Sequence, residues 1–480
     1  MRTVRRLPSL TSALTRSAAC FCSSVQRSCC STKSSFPTLM ASSSMGTSIP
    51  LPRAITGDAQ VRQRVRPPAD ASRRISHRTF VCQAIGLLGR AHDSEGHDVP
   101  SKTPRSRLAV PGFTEGGDVI DDHCHPFSLR AEPLDLSELS LNIDPGDAAS
   151  ERRRADGPWR LAQELLTVRL ARYLGCDPGE VAAAREEASR DWQRYVTSLF
   201  ADAGITDLVM DPSWPPGAGE RLEEYAATSG CAIHPMLRLD PMVDAAIEAG
   251  ASAREIVDDV LARMQAAAGS GYVAFKTILA YRTGLTVDPD ASMGQAEASL
   301  RSEGPVRRRG KALRDLLLRR ALGIAADLGR PFQIHTGIGD SEIRIAEANP
   351  LLLEELLRTP EGQAARIVLI HGSYPWHEEL AYLATTKPNV WADLSLFNLF
   401  SPVTSGGRLL RILDLAPATK ILLATDGYHQ PELFWFGAQI LHDAWGYASA
   451  AMREAGARDA WLEDVRSMIS EGNARSLYGL

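Results

Sequence analysis

From residue 118 onward, short apolar runs alternate with longer stretches rich in Ala, Leu, Glu and Arg. Eight of the short runs read as strands: Val119–His125, Ile205–Asp211, Cys231–Leu239, Gly271–Leu279, Pro331–His335, Arg366–His371, Val390–Ser395 and Lys420–Asp426. The stretches between them have the composition of helices. Strands alternating with helices predict βα units on a parallel sheet, and eight such units are what a (β/α)8 barrel needs. The expected fold class is therefore α/β, a (β/α)8 TIM barrel with helical insertions over 118–480, behind a disordered N-terminal extension. An open doubly wound sheet would want a Gly-rich turn after its first strand. Here the first strand runs out through His123-Cys124-His125-Pro126, and no such turn follows.

Two connections are long. Residues 126–204 include the helical stretches Trp159–Leu166 and Arg185–Phe200, and residues 280–330 hold a second block. Long loops on one end of a barrel are lids or pocket walls, or else helical padding, and the pattern leaves both readings open.

The chain before the barrel has a different character. Residues 1–57 contain seven basic residues, thirteen serines, four of the eight cysteines and no acid. An Arg-rich, Ser-rich, acid-free segment is the composition of an organellar transit peptide, which predicts a plastid or mitochondrial destination. If the segment is instead an over-extended gene model, with Met40 or Met45 as the start, the protein is expected in the cytoplasm. Residues 58–117 read as a low-order linker, with one apolar patch over Thr79–Leu88.

Removing the leader exposes an acidic body: 46 basic against 58 acidic residues, a net −12 within the overall −5. That balance argues against a nucleic-acid partner, which wants a basic face. No apolar run approaches the ~20 residues of a membrane-spanning helix, so no membrane span is expected. Cys82, Cys124, Cys176 and Cys231 are scattered without CxxC spacing, which indicates neither a disulfide framework nor a cysteine zinc site. The expected partner is a small-molecule substrate; a homo-oligomer is left open.

The chemistry lies at the strand ends. In barrels the reacting groups sit at the C-terminal ends of the strands. Of the 11 histidines, four close predicted strands: His123, His125, His335 and His371. Lys276 lies in the fourth strand and Asp426 closes the eighth. Side chains alternate along a strand, so His123 and His125 share a face and can grip one ion. Asp121 shares that face, to orient a ligand or sit below it, while Cys124 faces away and reads as packing. Taken singly, each residue has an ordinary explanation: a lone histidine is often a satisfied core residue, and Asp426 suits a helix cap. Together they form a nitrogen-and-carboxylate donor set that suits zinc or a similar divalent ion with an open position for water. Arg238, near the end of the third strand, and Arg282, after the fourth, are candidates to bind a substrate carboxylate; an ordinary ion pair is the alternative for each. His377 and His429 either line the pocket or cap helices. Trp376 and Trp435 read as packing.

These strand-end residues resemble those of the amidohydrolase superfamily, in its amidohydrolase-related branch. The likeness covers essentially all of 118–480. It extends to the strings Phe275–Leu285, Gln333–Asp340, His371–His377, Thr425–Glu432 and Gly472–Leu480, which resemble the amidohydrolase domain of nodulin/glutamine synthetase-like fusion proteins. The likeness is confined to the barrel, so the ligase activity of the synthetase half is not carried over. The resemblance implies a metal-dependent hydrolase, most simply of zinc with one or two ions, in which activated water attacks an amide, ester or lactone carbonyl. It makes His123, His125 and Asp426 ligands of the first ion, with Asp426 also the proton acceptor. His335 and His371 would complete a second site or bind substrate, His371 also serving catalysis. Lys276 is a carbamylated bridge between two ions, a contact to a substrate carboxylate, or a structural residue. His429 joins Arg238 and Arg282 as a substrate-binding candidate. A non-oxidative decarboxylase or an isomerase on the same frame is the first alternative, and a non-catalytic regulatory barrel the second.

Overall fold

The computed structural model describes residues 118–139 and 148–480. The transit-peptide and linker expectations for 1–57 and 58–117 lie outside the described residues. Eight strands follow in chain order: β1 Val119–Cys124, β2 Ile205–Met210, β3 Ala232–Arg238, β4 Ala274–Thr277, β5 Phe332–His335, β6 Ile367–Ile370, β7 Val390–Asp393 and β8 Ile421–Leu422. Each pairs in parallel with the next, in the order β1 to β8. The seam between β8 and β1 is joined by backbone hydrogen bonds: Asp122 N to Leu423 O at 3.1 Å, Asp426 N to His123 O at 2.9 Å and His125 N to Gly427 O at 2.8 Å. The result is a nearly closed TIM barrel with helices between its strands.

Several strands are shorter than the apolar runs predict, and the reason is local. His371 and Asp426 adopt φ of 70° and 54°. Backbone in that region cannot continue a β ladder, so both residues turn out of the sheet just past its edge.

The core has two layers. Inside the barrel, Ile120, Val209, Met236, Val368, Ile370 and Leu422 meet Leu477 and Tyr478 of the last helix, Asn473–Tyr478. That helix plugs the end opposite the histidines, and Arg366 just before β6 fixes it by donating to Leu477 O at 2.7 Å. Tyr478 is fully buried; its Oη donates to Asp122 Oδ1 at 3.2 Å and accepts from Gln333 Nε2 at 2.8 Å. Outside, β4, β5 and β6 bury every residue, as parallel strands covered on both faces must.

The 126–204 insertion is both wall and padding. Its helices Leu161–Leu174 and Trp192–Ala203 pack Leu166, Leu170, Val196 and Phe200 into a cluster with Phe434 and Trp435 of the long helix Pro431–Glu454. Its first residues instead rim the cavity. Buried Arg185 ties the two roles together, donating to Glu432 Oε1 at 2.7 Å and to the carbonyl of Glu132 on the rim. Among the described residues no helix is long and apolar enough to cross a membrane.

Candidate metal centre

One cavity of about 1180 Å³ opens at the C-terminal ends of the strands, and its lining includes His125, Lys276, His335, His371 and Asp426. The rim is built from unusual backbone. Among the described residues five non-glycines have positive φ: His371, Ser373, Leu396, Asp426 and His429. Four of them line this cavity. Such conformations cost of order 1–3 kcal/mol each and cluster at functional sites. Here they turn His371 and Asp426 from the sheet edge toward the mouth.

The strands bring His123, His125 and Asp426 together, their ligand atoms all within 4.8 Å of one another. His123 Nε2 and His125 Nε2 lie 3.3 and 3.4 Å from Asp426 Oδ1. That oxygen is buried and has no hydrogen-bond partner, a costly state for a carboxylate unless a cation completes it. Asp121 sits below and accepts from Thr425 N at 2.9 Å and from Thr425 Oγ1 at 2.5 Å, which steadies the segment that carries Asp426. Cys124 turns away, its Sγ directed at Val209 O.

Lys276 serves as an internal test of fit. Its ammonium lies 2.9 Å from His123 Nε2, 3.5 Å from His125 Nε2 and 3.0 Å from Asp211 Oδ2. An ammonium has three hydrogens and accepts nothing. Both imidazoles therefore turn a lone pair on Nε2 toward a cation, the same lone pairs that hold a divalent ion. The donor set of two nitrogens and one carboxylate oxygen fits such an ion.

The electrostatics keep those lone pairs available. Burial, reinforced by the charge of Lys276, lowers His125 to about 3 and holds His123 and His335 well below the usual imidazole range. Burial and the neighbouring His335 do the same for His371. Burial lowers Lys276 to about 8 against the pull of Asp211. Asp211 is itself buried, yet Arg238 and Lys276 hold it well below the carboxylate range. Burial raises Asp426, which favours a group that takes up a proton.

His335 and His371 are brought to the same cavity but not into the triad. His371 Nε2 lies 2.9 Å from His335 Nδ1, and His335 Nε2 lies 2.9 Å from the carbonyl of Ile338. The carbonyl only accepts, so His335 is protonated on Nε2 and takes the His371 Nε2 hydrogen on Nδ1. His371 Nδ1 lies 2.8 Å from Ser395 Oγ, whose one hydrogen goes to Asp393 Oδ1. Asp393 underlies the chain, bonded to Ser395 and accepting the His371 backbone N–H at 2.8 Å. Burial raises it to about 6. His371 Nδ1 stands 3.8 Å from Asp426 Oδ2, which links the chain to the triad.

The remaining candidates divide clearly. Arg238 lines the cavity and donates to Asp211 Oδ2 at 2.7 Å. Arg282 lines it and donates to Asp244 Oδ2 at 2.9 Å. His429 lies at the mouth, 3.0 Å from Glu132 Oε2. His377 lies outside the cavity lining, bonded to Gly372 O and packed between Tyr374 and Phe397. Buried Trp435 donates to Asp202. Sequence reasoning passed over Asp211 and Asp393, which stand just past β2 and at the end of β7. The strand-end signal that singles out the histidines applies to them equally. It also missed Tyr281, which lies 4.7 Å edge-on to His335.

Comparison with known proteins agrees with this fold. A family profile described as Amidohydrolase matches residues 120–480. Protein fluG of Emericella nidulans is 36% identical over 194 residues, covering 37% of this chain and 22% of that protein. The chain thus spans about a fifth of that relative's length. Among solved structures, a Lactobacillus casei protein provisionally described as a metal-dependent hydrolase is similar at 25% identity with a TM-score of 0.68, covering 76% of this chain and 96% of that one. Uronate isomerase from Thermotoga maritima shares the fold at 15% identity, with a TM-score of 0.55 and coverage of 75% and 94%. With the family profile matched over the whole barrel, the chain belongs to the amidohydrolase family.

Proposed function

We propose that the chain is a mononuclear metal-dependent hydrolase acting on an amide, ester or lactone carbonyl of a small molecule, with zinc as its ion. The observation that carries this reading is the convergence of His123, His125 and Asp426 around the partnerless Asp426 Oδ1. An ion held by these three residues supplies Lewis acidity and draws the pKa of water toward neutrality. The chain's own groups do the rest. Asp426 would accept a proton from the attacking water and return it to the leaving group. His371, whose Nδ1 is 3.8 Å from Asp426 Oδ2, would donate through its own network to charge that develops on the substrate. The neutral histidines keep their lone pairs across the physiological range.

The choice of one ion rests on Asp211. Lys276 is already held by this buried carboxylate at 3.0 Å. A carbamate on Lys276 would break that ion pair and leave Asp211 with Arg238 alone, an unfavourable exchange unless two ions stand beside the carbamate. The same point keeps the decarboxylase or isomerase reading as the second one, since neither needs a carbamate. Localisation in a plastid or mitochondrion completes the proposal, and a reporter fused to residues 1–57 tests it.

The deciding experiment is metal stoichiometry by plasma mass spectrometry, on protein grown with and without added bicarbonate. One ion per chain, indifferent to bicarbonate, is expected. Two ions that depend on bicarbonate would overturn the mononuclear form. A screen of amides, esters and lactones, run beside a carbon-dioxide assay on carboxylic acids, then separates hydrolysis from decarboxylation. A purified protein with no retained ion would favour the regulatory barrel.

A further inference from the structure

The cavity walls are unlike one another. Phe127, Trp214, Tyr225, Phe400 and Tyr428 bring aromatic surface from the loops after β1, β2, β7 and β8 and from the helix Leu222–Ser229 that precedes β3. The side formed after β3 and β4 brings Arg238, Lys276, Tyr281 and Arg282. We infer that this cationic side is a carboxylate subsite centred on Arg282 and Tyr281, so that the substrate is a small molecule carrying one carboxylate. The inference rests on the reading of the cavity as a substrate pocket and adds the substrate's class to it.

Charge arithmetic is the first argument. Asp244 is shared by two guanidiniums: Arg282 reaches its Oδ2 through Nε and NH2 at 2.9 Å, and Arg314 reaches its Oδ1 at 2.6 Å. A guanidinium stays charged in a protein, so this trio carries a net +1. The side chains of Arg282 and Arg314 are only 13% and 3% exposed. Positive charge held out of water without a full complement is costly. Asp211 repeats the arrangement with Arg238 and Lys276.

The second argument concerns which donors are used. Arg314 also donates to the carbonyls of Arg309 and Val306, at 3.0 and 3.3 Å. It is thereby a structural residue. Arg282 uses Nε and NH2 on Asp244, and among the described residues no partner holds its NH1. NH1 is not a buried orphan either; it belongs to a residue lining the cavity. Glu342, an acid on the same rim, is already paired with Arg307.

The third argument is the fixing of Tyr281. Its Oη accepts the Asp340 backbone N–H at 2.9 Å. The loop after β5 closes so tightly on the phenol that a Cβ at Gly339 would lie 2.1 Å from Oη, which requires glycine there. With one side of the oxygen held by the backbone, the phenol presents its own O–H as a donor. Tyr281 and Arg282 are consecutive in the short helix Leu279–Arg282, directly after the strand that carries Lys276. A guanidinium and a hydroxyl that line one cavity can each donate to a planar carboxylate. The net +1 of the Asp244 trio balances one carboxylate.

The test is calorimetric titration of acetate, succinate and benzoate, each against its uncharged amide, and of inorganic phosphate. Wild type, Arg282→Gln, Arg282→Lys and Tyr281→Phe are compared in zinc-loaded and chelator-treated forms, with circular dichroism melting to verify folding. At least one carboxylate is expected to bind tenfold or more tighter than its amide. Arg282→Gln should abolish that preference while leaving amide affinity and zinc content at wild-type values. Arg282→Lys should keep part of it, and Tyr281→Phe should weaken carboxylate binding several-fold. The inference is overturned if no carboxylate outbinds its amide in folded wild-type protein, if the preference survives Arg282→Gln, or if phosphate outbinds every carboxylate. A preference that depends on Arg282 in protein that retains no zinc would sink the metal reading and leave the subsite standing. Retained zinc without the preference would do the reverse.

Discussion

Two histidine pairs face each other across the cavity floor, alike in residue type and unlike in what they offer. His123 and His125 come from the end of β1 and turn both Nε2 lone pairs toward the Lys276 ammonium. His335 and His371 follow the ends of β5 and β6, and their ring nitrogens are taken up by each other, by Ile338 O and by Ser395. Both pairs are held neutral by burial. What separates a ligand pair from a hydrogen-bonded pair here is therefore the partner and not the protonation state.

The largest effect should come from breaking the first pair. Asp426→Asn or His123→Ala is expected to reduce bound metal to background by plasma mass spectrometry and to abolish turnover. His371→Asn is expected to behave otherwise, keeping the metal while turnover falls on the order of 10²-fold, the usual scale for a lost transition-state contact. Loss of metal in His371→Asn would erase the distinction between the pairs. Ser395→Ala removes the hydroxyl that bridges His371 Nδ1 and Asp393 Oδ1. An unsatisfied buried polar atom costs ~1–3 kcal/mol, so this variant should melt lower with its metal content unchanged.

Acid reports on both pairs together. His125 falls from 6.5 to about 3 on folding. The unfolded chain therefore binds its proton first as the pH drops. Stability from this group is complete above about 6.5 and is lost progressively down to about 3. Chemical denaturation of metal-free protein should become easier across that window, and His125→Ala should flatten the slope. The smallest effect is expected from Cys124→Ala, which sits between the two ligand histidines in sequence but faces Val209. Metal content should not change, and a measurable drop would contradict the alternation of side chains along β1.

The sequence order of strands and helices was enough to place His123, His125, Lys276, His335, His371 and Asp426 around one mouth, because each sits at or just past a strand end. The same rule should have flagged Asp211 and Asp393. Both lie within predicted strands, but the histidines and the last strand's carboxylate alone carried the donor-set signal. The pairing of Asp211 with Arg238 and Lys276 joins residues 27 apart or more and leaves no periodic trace. The positive φ of His371 and Asp426 was equally illegible, because tertiary hydrogen bonds and not local propensity hold it. Tyr281 escaped for another reason: its role depends on Gly339 in a separate loop, and no spacing rule links the two. β8 came out as two residues where a longer run was predicted. The backbone beyond it leaves the ladder to join β1.

That seam couples manufacture to metal retention. Asp121 and Thr425, which brace the triad, are 304 residues apart in the chain. His123 emerges from the ribosome early in the barrel, while Asp426 waits until nearly all of it has been made. Contacts of such long range form late in folding. No chain that stops before Asp426, and none cut between these points and separated, contains the full donor set. A tightly held ion is therefore a receipt for synthesis through Asp426 and for closure of the seam, and the metal content of a preparation measures how much of the protein has reached that point.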